Sequence, residues 1–351
     1  MKLEFVRFSS SEAEWKTMEG EARWAFVYWD YLRYVARDMG WNPFRRVRIV
    51  RVREDGETLM IVPLVRMAGR REYRMLGDVQ GCDIADALFR PGMEAERQLE
   101  CVRCFVSRLH ARLVLNRIPE GSPFLSGIPA DSIRSDRTVT YVNIPVPELP
   151  ESYIPSLTAN ARQNVRKAYR RMERDGIRFR LEVYCPGVEP LPDAVWKQMR
   201  RTYFSRRVSK YRKGVFSDET KGGPLVQAAK YVYYITVKRF LFCRKHDSRS
   251  LRKEPDALHL VLRNEATHRV MAFMSGFLTR DGSTFSVPRI AIDEACGFYS
   301  PGCILIAEAV RYFSGETSVR NLDLSRGDEP YKFKMGGQAY CTHDLIVDAG
   351  K

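Results

Sequence analysis

Apolar residues recur along this chain with two periods, and the switches between them outline a mixed α/β protein. From residue 12 to 39 large aromatics return at helical spacing, and Trp24, Tyr28, Tyr31 and Val35 predict one buried helical face. Period two follows. Val47, Ile49 and Val50 begin a strand, Glu54-Asp55-Gly56 is a hairpin turn, and Leu59 to Val65 is the return strand. A further strand at Tyr73 to Leu76 runs into a Gly77-Asp78 turn and a loop with Cys82, Asp83 and Asp86. A helix over about 94–109 and a strand over 111–116 complete this unit.

Pro145, Pro147, Pro150 and Pro155 then crowd a segment that suits a linker or an extended edge, so the sequence divides into residues 1–150 and 151–351. Past the boundary, Ser156 and Thr158 are both N-cap residues for a helix over about 159–175, which Gly176 stops. A strand at 179–184, a helix at 194–207, a hairpin at 258–262 and 270–278, and a third strand at 284–292 follow. A helix over about 302–313 leads to strands at 322–324 and 340–347. Residues 208–256 read as a basic insertion, with an aromatic-rich helix or strand from Val226 to Phe242. The expected class is α/β (α+β). Each half begins helical and continues as a mostly antiparallel sheet with one late helical crossover.

Composition narrows this picture little. The chain has 351 residues with 44% hydrophobic and 11% aromatic, enough for an ample core. Residues 1–15 lack the continuous apolar segment of a secretory signal, and no apolar run reaches the roughly 18 residues of a membrane span. The expectation is a cytoplasmic protein. Its eight scattered cysteines do not suggest a disulfide scaffold, and the single C-x-x-C pair, Cys101 and Cys104, reads as reduced thiols without zinc.

Charge is more telling once divided. Residues 1–150 carry 23 Lys+Arg and 21 Asp+Glu, residues 151–351 carry 35 and 22, and the window 158–253 alone holds 25 and 8. That window exceeds the net charge of +15 of the whole chain. A phosphate-bearing donor, a tRNA or an anionic membrane surface would each suit it, as would a solvated basic face.

Three constellations carry possible chemistry. Arg162, Arg166, Arg170 and Arg174 fall at intervals of four beside Lys167 and Arg171, a guanidinium stripe that repels itself and favours phosphate. Val165, Ala168 and Met172 would face the core opposite it. Ser300-Pro301-Gly302-Cys303 opens an apolar helix whose N-terminus could receive a pyrophosphate, although Pro and Gly at a helix start are also ordinary punctuation. The densest group lies between Asn321 and Gly337, where a short apolar strand runs into Arg-Gly-Asp-Glu-Pro-Tyr-Lys-Phe-Lys. Acylation of an amine needs a base, an oxyanion partner and an acid for the leaving group. Asp328 or Glu329 suits the base, Lys334 or Lys332 the oxyanion or phosphate partner, and Tyr331 the acid. The structural alternatives are a cap by Asp328 and an ion pair of Lys332 with Glu329. The motifs H-E-x-x-H, G-x-S-x-G, G-x-G-x-x-G and the Walker loop are absent from the sequence, and its five histidines lack metal-ligand spacing.

These residues resemble a known group. The order strand, Ser-Pro-Gly helix, Asp-Leu strand and Arg-Gly-Asp-Glu-Pro-Tyr-Lys is similar to the BioF2-like or CelD-like family of the GNAT superfamily, relatives of the Fem peptidyl transferases. Asp55-Gly56-Glu57 to Leu64, the Leu76-Gly77-Asp78 turn with Asp83 and Asp86, and Leu157 to Gly176 resemble it too, so all but about 208–256 is covered. The resemblance implies tandem GNAT-like domains and acyl transfer to an amine, on an amino sugar or a cell-envelope or exopolysaccharide precursor. It implies acyl-CoA as donor, or aminoacyl-tRNA in a Fem-like variant; a nucleic-acid-binding module is the non-enzymatic alternative. Phe333-Lys334-Met335-Gly336 looks like the Fem segment whose lysine stabilises the reacting carbonyl, and Tyr331 suits the superfamily's late tyrosine. Ser300, Gly302, Cys303 and Lys332 would meet the donor, and Asp83, Asp86, Arg162, Arg166 and Arg170 the substrates. The usual CoA pyrophosphate loop is replaced by Tyr299-Ser300-Pro301-Gly302.

Overall fold

The computed structural model describes residues 1–40, 44–78, 82–212, 224–233, 236 and 246–350. Its strands are β1 (Lys2–Val6), β2 (Arg45–Glu54), β3 (Glu57–Met67), β4 (Glu72–Met75), β5 (Leu88–Phe89), β6 (Arg112–Pro119), β7 (Ile133–Pro145), β8 (Phe179–Tyr184), β9 (Ala257–Asn264), β10 (Val270–Leu278), β11 (Thr284–Ile292), β12 (Asn321–Arg326) and β13 (Gln338–Asp348). The helices are α1 (Glu12–Met18), α2 (Trp29–Gly40), α3 (Ala95–Leu109), α4 (Pro123–Ser126), α5 (Tyr153–Ser156), α6 (Ala159–Arg174), α7 (Asp193–Arg212), α8 (Pro224–Tyr233), α9 (His246–Lys253), α10 (Pro301–Glu316) and α11 (Pro330–Lys334).

All strands join one sheet in the order β1-β2-β3-β4-β6-β13-β7-β12-β11-β10-β9-β8, with β5 beside β3. The order is a palindrome of roles. Four antiparallel strands lead in each half to a parallel pair, β4 with β6 around α3 and β11 with β12 around α10. Each half then lends its last strand to the other: β7 pairs with β12, and β13 fits between β6 and β7. The predicted crossovers are both present. The exchange of strands across residue 150 has no local signature.

Period-two patterning sets the two faces of the sheet. Leu258, Leu260 and Leu262 of β9 face α6 and α10, together with Leu322 and Leu324 of β12. Ala257 and Val261 point the other way, into a core that also holds the aromatics of the first forty residues. Thr158 caps α6, its hydroxyl accepting from Ala161 N, and Gly176 ends it at φ +65°. Asp55 and Gly56 both take positive φ in the β2–β3 turn, as a type I′ hairpin requires.

Two helical expectations need correction. The chain opens with β1, not a helix. Trp24 and Tyr28 are in extended backbone flanking a 3₁₀ turn at Ala25–Val27, and α2 starts at Trp29. The four residues expected on one face are all buried, but the Tyr28 hydroxyl is held by Ala22 O and Arg280 N, which fixes a bend rather than a helix. Within the basic insertion, 224–233 is helical, while 213–223, 234–235 and 237–245 lie outside the described residues. Among the described residues no helix is long and apolar enough to cross a membrane.

Candidate active site

Two parallel strands separate where the tail motif begins. β11 and β12 pair at Thr284/Asn321, Phe285/Leu322 and Ser286/Asp323, and beyond that β11 keeps only its partner β10. Pro288 in β11 has no N–H to offer, and β12 bulges at Ser325, whose φ is +58°. A cavity of about 260 Å³ occupies the opening, between Val287, Pro288 and Ile290 on one side and Leu324, Ser325 and Arg326 on the other. Arg206, Arg207, Arg326 and Lys332 line it against two carboxylates, Asp83 and Glu329, so the cleft is cationic.

Tyr331, in the first turn of α11, faces this cleft. Burial, and then the charge of Glu329, push its phenol up to about 12. It therefore remains a proton donor throughout the neutral range. Lys334 ends the same short helix and is exposed; its charge reaches the Cys303 thiol, which burial pushes up and Lys334 draws back down. Cys303 also acts electrostatically on Tyr331, while Cys303 and Lys334 both stand outside the residues that line the cleft.

Lys332 takes the structural alternative, the ion pair with Glu329, rather than the role of oxyanion or phosphate partner. It is 2% exposed, and its ammonium donates to the carbonyls of Ser325 (3.1 Å), Arg326 (2.8 Å) and Gly327 (3.1 Å) while lying 3.1 Å from Glu329 Oε2. Those acceptors consume its donors. Lys332 braces the turn between β12 and α11 and does not meet a phosphate. Gly336 reverses the chain after α11 at φ +82°, and a Cβ on Gly337 would stand 2.4 Å from Val142 Cγ1, so the two glycines that end the tail motif are needed for closure. Asp328 is exposed and outside the residues that line the cleft.

The first turn of α10 is a poor phosphate cradle. Ser300 sits at φ +50°, Pro301 has no N–H, and the amides of Cys303 and Ile304 both turn back to Ser300 O. Among the described residues this leaves the Gly302 amide without a backbone acceptor; Gly302 also lets the turn close on β11, since a Cβ there would lie 3.2 Å from Ile292 Cγ2.

The stripe on α6 divides. Arg162 donates to Pro155 O, Arg171 to Phe298 O, and Arg174 pairs with Asp175. Arg166, Lys167 and Arg170 are exposed and without an ion pair among the described residues, opposite the buried Ala161, Val165, Ala168 and Met172. Asp83 and Asp86 also part company. Asp83 enters the cleft, where burial raises its carboxyl against the attraction of Arg117. Asp86 lines a different cavity, accepts from Ser122 Oγ and Ala87 N, and is pushed up to about 7 by burial.

One residue went unread in the sequence. Asp323 is 1% exposed, accepts from Tyr340 Oη at 3.0 Å and Ser325 N at 2.8 Å, and burial pushes it up to about 6. Its signal was the alternation Leu322-Asp323-Leu324, which turns one acid to the face opposite two core leucines.

No curated protein matches this chain. Residues 249–333 match the acetyltransferase (GNAT) domain family. The chain is similar in structure to a domain assigned as the C-terminal (DUF2156) part of a lysylphosphatidylglycerol synthetase from Agrobacterium fabrum, at TM-score 0.54 and 12% identity, over 98% of this chain and 92% of that one. It is also similar to L-PGS from Bacillus licheniformis, at TM-score 0.50 and 12% identity, over 94% and 92%. A tandem GNAT protein from the clavulanic acid pathway is more distant, at TM-score 0.44 and 12% identity over 100% and 99%. The palindromic sheet and the open parallel pair agree with the matched segment: residues 249–333 carry a GNAT domain, and the chain shares the fold of the two lysylphosphatidylglycerol synthetase structures.

Proposed function

We propose that this chain transfers an acyl group from a coenzyme A thioester to a primary amine. The observation that carries the reading is the open, cationic end of the β11–β12 pair, with a protonated phenol on its wall. An extended, phosphate-bearing donor suits that opening, because unpaired strand edges offer backbone hydrogen bonds and the arginines offer charge. The amine nitrogen attacks the thioester carbonyl carbon, and the C–S bond breaks as the C–N bond forms. The ammonium proton passes to a carboxylate of the cleft, Asp83 or Glu329, and Tyr331 gives its proton to the departing thiolate. Lys334 stabilises the carbonyl oxygen as it gains charge.

One observation favours a second donor. The α10 turn offers a single free amide, whereas Arg166, Lys167 and Arg170 stand outward on α6 with their charges unspent. That arrangement suits the backbone of a charged tRNA carrying an aminoacyl group. Calorimetric titration of the full chain with coenzyme A, and with bulk tRNA at about 50 mM and about 200 mM salt, separates the two. Coenzyme A binding without tRNA binding supports the thioester; salt-sensitive tRNA binding without coenzyme A heat moves the donor to tRNA. Binding of neither removes acyl transfer. Lys334→Ala should abolish turnover and leave the fold intact, and full activity in that variant would remove Lys334 from the chemistry.

A further inference from the structure

A second cavity, of about 430 Å³, opens at the opposite end of β11 and β12. This volume falls inside the roughly 300–1,000 Å³ common for small-molecule sites. Its walls come from distant parts of the chain: Trp24 before α2, Asn143 at the end of β7, Asp281 between β10 and β11, Asn321 and Asp323 in β12, and Tyr340 in β13. Polar side chains stand on several of its walls, beside the aromatic rings of Trp24 and Tyr340.

Much of that polarity is unspent. Asn143 Nδ2 meets Asn321 Oδ1 at 3.5 Å, the outer limit of a hydrogen bond, so both amides keep capacity for a ligand. Trp24 is 8% exposed and stacked on Tyr340, yet its indole N–H has no acceptor among the described residues. Asp281, by contrast, accepts from Thr279 and Ser283 and is held below its usual range by those bonds.

The charge is opposite to that of the donor cleft. Glu120, Asp281 and Asp323 face one guanidinium, Arg23, which lies over the Trp24 ring. An anionic donor is drawn to one cavity, a cation to the other. The two share β12. Asp323 lines the second cavity and Ser325 the first, and Ser325 N donates to Asp323 Oδ1 at 2.8 Å across the bulge, so the two openings adjoin. A ligand resting over Asp323 can therefore present a nitrogen to a carbonyl held beside Ser325.

We propose that this second cavity is the acceptor site and that its ligand is a hydroxyl-rich primary amine, in chemical class an amino sugar. Its hydroxyls meet Asn143, Asn321 and the Trp24 indole, and its ammonium is drawn by the carboxylates. The inference rests on the acyl-transfer reading, since a transferase needs a second substrate beside its donor, but its test requires no donor and fails separately.

The intact chain is titrated with glucosamine, with glucose and with cyclohexylamine, which separate the contributions of amine and hydroxyls. Glucosamine should bind about tenfold more tightly than either. Asn321→Leu should weaken glucosamine about tenfold, and Trp24→Phe, which keeps an aromatic ring in place of the indole, should weaken it several-fold. Coenzyme A heat should be unchanged in both, and near-ultraviolet circular dichroism reports whether each has folded. The proposal is overturned if glucosamine does not bind, if cyclohexylamine binds as tightly, or if both folded variants retain wild-type glucosamine affinity.

Discussion

The sheet contains the same device twice, and only one copy is open. β4 and β6 pair in parallel over Glu72/Arg112 to Arg74/Val114, as β11 and β12 do over three positions. In the first half the chain leaves β4, loops through residues 82–87 and returns as β5 beside β3, and Ala85 N donates to Arg117 O. Cys82 and Ile84 are fully buried there. The first opening is filled by protein. The second is continuous along β10 and remains a cleft. A broken strand can thus convert a ligand site into a core, and the loop that does so carries Asp83 into the cleft of the other half.

Substitutions should separate the two openings, and the largest effect belongs to the open one. Tyr331→Phe should lower turnover by about 10²–10⁴ with donor affinity retained, measured as kcat against binding of coenzyme A. An unchanged kcat removes the phenol from the leaving-group step. Ile84→Ala, in the filled opening, should cost about 2–4 kcal/mol in chemical denaturation and leave donor affinity of the folded protein alone. A weaker donor in that variant at unchanged stability would mean that the first opening also binds. Arg206→Glu should weaken the donor about tenfold and flatten its salt dependence, since Arg206 faces both the cleft and Tyr331.

A pH-dependent effect concerns the carboxylate that stays in the first half. Asp86 titrates near 7 in the folded chain against about 4 unfolded, so the folded state holds the proton more tightly and stability falls as pH rises between those values. Ser122 and Ala87 both donate to the same oxygen, Oδ1, which asparagine retains. Asp86→Asn should match the wild type at pH below about 4 and exceed it increasingly as pH rises toward about 7, by urea midpoint at each pH. A pH-independent difference would show that Asp86 is not the buried acid.

What the sequence displayed depended on range. Helix α6, with Thr158 at one end and Gly176 at the other, and the hairpin at Asp55-Gly56 are set by neighbours a few residues away, and both were readable. The exchange of β7 and β13 depends on pairings between residues 133–145 and 338–348, for which periodicity offers no sign. Within the site, the crowd of polar groups after β12 was legible as a crowd. Lys332 and Lys334 differ by about half a helical turn: one points under the turn toward three carbonyls, the other outward to solvent. Only the folded position of Ser325 to Gly327 decides which is which.

The interleaving of β13 between β6 and β7 also has a consequence for the order in which the protein is made. On the ribosome the first half emerges with all its own helices but with β6 exposed along one edge, and β7 without either of its neighbours. That edge is a hydrogen-bonding template open to other chains until residues 338–348 arrive to close it. Until then the nascent chain has an unfinished seam, and the strand that completes it is translated after the other described strands.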